Sequence, residues 1–141
     1  MRVEQGRAFI GRLPSGADLL ESLTAVCRYE NVRFGVVTAI GAVSSARLGY
    51  YKQDEQEYME CLNIEKGLEI VSCLGNMSLK EGEIFVHTHV ILSDKEGRCY
   101  GGHLMPGTRV FAAEYCIREL VGKPYSREWD AVTGLALWPQ E

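Results

Sequence analysis

All three histidines of the chain, His87, His89 and His103, fall within FVHTHVILSDKEGRCYGGHLM, residues 85 to 105. Imidazole changes charge near neutral pH and is the commonest metal-binding side chain, so a shared metal ion is the first chemistry to consider. His87 and His89 are two apart, so on a strand they project from one face, about 7 Å apart along it. Between them and His103 lies DKEG, whose residue types build a three-residue hairpin loop. Asp94 opens it, Lys95 and Glu96 take the type I turn positions, and Gly97 supplies the left-handed residue of a bulge. That loop predicts Asp94 opposite Arg98, Ile91 opposite Gly101 and His89 opposite His103, with His87 diagonally across from His103. A loop one residue longer or shorter would send His103 to the other face.

Three imidazoles meeting beside Gly101 make a plausible ligand set for a divalent metal. Neutral imidazole suits zinc, with nickel, copper and iron as chemically reasonable competitors. Three protein ligands on zinc usually leave a fourth position for water or substrate, and an open position can polarise a carbonyl or acidify bound water. Glu69, in GLEIVS, and Glu114, in FAAEY, are acids inside apolar strand contexts. Either is a candidate fourth ligand, a partner that orients a ligating imidazole, or a general base, and the residues do not choose between them. The bland alternative is two histidines on a buried strand bonding backbone carbonyls, which is the commoner meaning of a lone HxH. The third histidine, placed independently by the turn, favours the metal.

The elements that must position this hairpin can be read along the chain. GRAFIGRLPSG reads as a strand running into a turn, and Ser15 with Asp18 three residues on is a capping-box variant at a helix start. Leu19, Leu20, Leu23, Val26 and Cys27 then share a face at helical spacing, predicting one amphipathic helix over residues 16 to 29. VRFGVVTAIGAVSSARLGYY, with Gly35, Gly41 and Gly49, predicts two strands with bulges or a tight bend. YMECLNI, LEIVSCLGNMSL, IFVHTHVILS, RCYGGHLM and TRVFAAEYCI continue as strands, VGKPYSREWD reads as loop or short helix, and GLALW closes as a short strand. Many strands in succession with one early helix predict an α+β fold, a mostly antiparallel sheet with helical cover, in a single domain over residues 1–141.

The hairpin's other face, Val86, Thr88, Val90 and Leu92 with Tyr100 and Leu104 across, is also apolar, while Phe85, Ile91 and Met105 accompany the histidines. Both faces are therefore expected to be covered, one by the helix and one by a neighbouring subunit.

The composition bounds the setting. Apolar residues make up 46% and charged residues 24% of 141 positions, the profile of a globular domain. No segment reaches the roughly 18 apolar residues of a membrane span, and MRVEQGRAFIGRL places charges where a signal peptide is apolar. Five cysteines, an odd number with no CxxC pair, suggest reduced thiols and a cytoplasmic location. A net charge of −4 gives no electrostatic footprint for nucleic acid. No Ser-His-Asp arrangement, phosphate-binding loop or cofactor fingerprint is present, and enzymatic activity stays open.

GLEIVSCLGNMSLKEGEIFVHTHVILSDKEGRCYGGHLMPGTRVFAAE, together with the preceding GVVTAIGAVSSARLGYY, resembles the plants and prokaryotes conserved (PPC) domain family in its prokaryotic stand-alone form. The resemblance spans roughly residues 3 to 120. It implies an antiparallel sheet with flanking helices packed as a homotrimer, and a metal, usually zinc, at histidines matching His87, His89 and His103. Family members are also often described as DNA-binding or transcription-associated, by extension from plant members that carry an AT-hook. That is the alternative function here. The chain has no AT-hook: in GRLP, residues 11 to 14, Leu13 stands where the motif has its second arginine, so the arginines that would enter a minor groove are missing.

Overall fold

The computed structural model describes residues 1–140. Ten elements follow in order: β1 (Glu4–Leu13), α1 (Leu19–Tyr29), β2 (Gly35–Lys52), β3 (Glu57–Ile64), β4 (Leu68–Lys80), β5 (Glu83–Ser93), β6 (Cys99–Leu104), β7 (Arg109–Val121), β8 (Ser126–Asp130) and β9 (Leu135–Leu137). The strands form a mostly antiparallel sheet in the order β1-β7-β2-β6-β5-β4-β8-β9, with β3 on β2. Because β2 pairs with β4 along its first half and touches β6 along its second, the pairings β2–β4–β5–β6 close on themselves. This is the expected antiparallel α+β arrangement, except that the cover is one helix rather than several.

The helix is shorter than its periodicity predicts. It starts at Leu19, and its cap is Asp18, whose side chain accepts the Glu21 N–H at 3.0 Å. Ser15 lies outside, because residues 14 to 17 form a turn in which the Ala17 N–H bonds the Pro14 carbonyl. Leu19, Leu23 and Cys27, spaced by four, are fully buried, and Leu20 and Val26 pack against the same core. Burying each leucine is worth roughly 1.5–3 kcal/mol, more than helical propensity alone supplies.

Residues 35–52 form one long strand, not two. The expected bulges are present at two of the three glycines: register shifts fall between Ala39 and Gly41 and between Leu48 and Gly49, whereas Gly35 begins the strand. At Gly41, φ is +130° and a Cβ would lie 2.1 Å from the Ala112 carbonyl oxygen, so only glycine lets β7 approach there. The segment expected to be loop or short helix contains β8, which pairs in parallel with the end of β4, Lys80 opposite Arg127.

One face of the sheet, with Val37, Cys73, Met77, Val86, Val90 and Leu104, is buried beneath α1. The other carries an aligned row across six strands: Ile10, Cys116, Thr38, Leu74, His89 and His103 are successive partners. Ile10 is 82% exposed, Leu74 60% and Ile40, two residues from Thr38, 58%. No helix among the described residues is long and apolar enough to cross a membrane.

Candidate metal centre

The β5–β6 hairpin has the register that its turn chemistry predicts. Asp94 donates its N–H to the Arg98 carbonyl at 3.0 Å, Gly97 has φ +78°, Ile91 faces Gly101, and His89 faces His103. Asp94, 6% exposed, organises the loop. Its carboxylate accepts the Glu96 and Arg98 N–H groups at 3.0 Å each, the Arg98 Nε–H at 2.9 Å and the Tyr100 hydroxyl at 3.0 Å. Burial works against its ionisation, but these bonds outweigh it and hold the carboxyl well below the usual range.

The three imidazoles converge, with one nitrogen from each lying within 4.8 Å of the others. Ring centroids are 5.1 Å apart for His87 and His89, 5.0 Å for His87 and His103, and 5.5 Å for His89 and His103. His89 is exposed, whereas His87 and His103 are half-buried. On its far side His103 faces Gly49 of β2, and the Tyr58 ring lies 4.8 Å from the imidazole.

Among the described residues, three buried side-chain atoms lack a hydrogen-bond partner, and two of them, His87 Nε2 and His103 Nδ1, belong to this cluster. The third, Thr88 Oγ1, belongs to the opposite face. A buried polar atom without a partner costs free energy that a bound ion would recover. Protonation is disfavoured as well. Burial first, then the nearby His103, Arg127 and His89, pushes His87 down from 6.5 to about 4. Burial and His89 lower His103. Neutral imidazole is the ligating form, so the donor set fits a divalent metal.

The two acids do not join this cluster. Glu69 is exposed opposite Ser93 on β5, four residues from His89 and so about 13 Å along the strand. Glu114 is exposed on β7 between Arg12 and Ile40, separated from β5 by β2 and β4. Sequence reasoning placed Phe85 beside the histidines but missed Arg127 and Tyr58, which flank them in the same pocket. Arg127 reaches it only through the β8 pairing, which no local pattern announces.

The sequence pattern of the Plants and Prokaryotes Conserved (PCC) domain matches residues 2–121. A metal-containing protein of Archaeoglobus fulgidus has a similar structure at 38% identity and TM-score 0.92, over 99% of this chain and 97% of its own. A plant- and prokaryote-conserved (PPC) protein of Pyrococcus horikoshii is 35% identical at TM-score 0.93, over 99% and 96%. A Bacteroides thetaiotaomicron protein described as a candidate DNA-binding protein is 18% identical at TM-score 0.86, over 97% and 96%, and shares the fold alone. The bifunctional protein GlmU of a Synechococcus strain (JA-3-3Ab) is 32% identical over 130 residues, 91% of this chain, and the chain spans only 20% of that protein's length. With a family pattern that covers most of its length and archaeal structures that superpose on nearly all of it, the chain belongs to the Plants and Prokaryotes Conserved domain family.

Proposed function

We propose that the protein is a homotrimeric, cytoplasmic metal-binding domain whose centre holds zinc or a similar divalent ion on His87, His89 and His103. The observation that carries this reading is the convergence of three imidazoles with two buried, unpartnered nitrogens. Zinc–nitrogen bonds of about 2 Å at tetrahedral angles hold donors about 3.3 Å apart, so the rings, whose nitrogens lie within 4.8 Å of one another, would draw together on binding. Bound there, the ion would act as a Lewis acid with a coordination position free for water or ligand. The chain's own part is to hold the imidazoles neutral and aligned. Asp94 fixes the hairpin register, and burial under the β8–β9 end of the sheet keeps His87 deprotonated.

The metal-containing description of the Archaeoglobus relative supports the centre, and five free cysteines accord with a reducing compartment. The trimer is supported by the family resemblance and by the exposed apolar row that runs up to His89. A second copy on that face would cover Ile10, Ile40 and Leu74.

Elemental analysis of untagged protein beside the His103→Ala variant tests the centre. Near-stoichiometric metal that disappears in the variant is the expected result. Metal in neither protein would sink the reading, and a salt-dependent shift of duplex DNA would then be the next measurement.

A further inference from the structure

The histidines open into a cavity of about 680 Å³ whose outer wall is the β8–β9 hairpin, beyond the residues that the family pattern matches. Arg127 sits in that wall, half-buried and held firmly. Its Nε–H donates to Ser78 Oγ at 3.1 Å, Nη1 to the Ala136 carbonyl at 3.2 Å and Nη2 to Asn76 Oδ1 at 2.8 Å. All three acceptors are neutral. Among the described residues no carboxylate lies within ion-pair distance of Arg127. A guanidinium has five N–H donors, so one remains on each terminal nitrogen.

The surroundings add positive charge. Arg127 lies 5.1 Å from the Phe85 ring centroid, and Lys80 Nζ lies 5.4 Å from the same centroid. Among the described residues Glu81 is the only acid lining the cavity, and it is exposed. In a chain of net charge −4 this is a local concentration of cations, to which a divalent ion on the histidines would add. A partly buried cation without a counter-charge is costly unless something arrives to supply one. Tyr58, Trp129, Leu135 and Leu137 give the remaining walls a largely apolar and aromatic character, with Gln56 as a polar member.

We infer that this cavity binds a small organic carboxylate, its two oxygens on the free N–H groups of Arg127 and its compact apolar body between Tyr58, Trp129 and the β9 leucines. Two N–H groups on separate nitrogens match a planar carboxylate as a fork, and apolar walls with few polar anchors suit an organic body better than a bare inorganic anion. The inference rests on the metal reading for the histidine side of the cavity, where the ligand would meet the ion. Arg127 is independent of it.

Both tryptophans of the chain report on this place: Trp129 lines the cavity, and Trp138 lies 5.7 Å from the Arg127 guanidinium. Intrinsic fluorescence of zinc-loaded protein would be titrated with benzoate and malonate, and with benzamide and malonamide as neutral counterparts. At least one carboxylate is expected to saturate at or below roughly 10 mM, the affinity a ligand of this size reaches at modest efficiency. Its amide is expected to bind about tenfold more weakly or worse, as is the carboxylate to Arg127→Gln. The amide comparison needs no variant and so survives any misfolding of Arg127→Gln. Absence of saturation, equal binding of acid and amide, or undiminished binding by folded Arg127→Gln would each overturn the inference. Metal content of the same samples separates the two readings. Arg127-dependent carboxylate binding without metal upholds the cavity and sinks the centre, whereas metal without carboxylate binding does the reverse.

Discussion

His89 faces His103 across the β5–β6 hairpin, and the pairing is set by Asp94 at the turn, not by any contact between the two rings. One carboxylate thus governs where a residue on the next strand points. Asp94→Ala removes the bonds to two loop N–H groups and to Arg98 and Tyr100. The expected outcome is a lower melting temperature together with zinc affinity weaker by about tenfold, because loosening the loop loosens the register that aligns His103 with His89. Competition titration against a chelating dye measures the second effect. Unchanged affinity in a destabilised variant would show that the register survives without the turn.

Acid should act on the same hairpin. The folded state binds a proton at His87 only near pH 4, whereas the unfolded chain binds it near 6.5. Between those values the unfolded state holds the extra proton, so stability falls as pH falls through that window and is fully present above it. Metal release runs in the same direction, because ligating imidazoles must be neutral. Thermal melts of metal-free protein between pH 7 and pH 4 check the sign. A flat profile that His87→Gln does not alter would contradict the burial of this imidazole.

Gly75 backs the histidine strand from β4. A Cβ there would lie 2.3 Å from the His87 carbonyl oxygen and 2.3 Å from the Thr88 methyl, and the first of these is backbone and cannot swing aside. Gly75→Ala is expected to cost about 1–3 kcal/mol, as overpacking does, and to lower metal affinity by pushing β5 outward. Denaturant unfolding with and without zinc separates the two losses. A variant as stable as the parent would mean that the strands part more easily than their packing implies.

The hairpin was legible in the sequence because everything that fixes it is local: the residue types of DKEG dictate loop length, and loop length dictates which residues face each other. The helix face was legible from the spacing of Leu19, Leu23 and Cys27, but its start was not, since Asp18 caps it through a bond that Ser15 could equally have made on paper. The bulges of β2 were legible from Gly41 and Gly49, but the division into two strands was not correct, because a bulge lets a strand bend without ending. Arg127 gave no warning. Its partners Asn76 and Ser78 stand about fifty residues earlier, and only the parallel pairing of β8 with β4 brings them together.

Assembly is open to a direct check. Sedimentation should give one species at three times the 15.8 kDa chain mass. Ile40→Glu with Leu74→Glu should shift it toward monomer, because both side chains are exposed on the apolar face and each introduces a charge there. A parent protein that sediments as monomer would remove the trimer from the proposal.

The pairing of Gly35 with Glu119 shows how far β2 reaches for its partners. Closing such a distance is slow, so topology of this kind places completion of the sheet late in folding, on the millisecond-to-second scale. The histidine hairpin closes over a few residues and forms in about microseconds. An isolated hairpin is at best marginally stable, so a divalent ion that bridged the three imidazoles would be what holds this one together before the core exists. An ion held by such an early hairpin would stabilise the unfolded ensemble too, so its net contribution to the finished fold would be smaller than its affinity suggests.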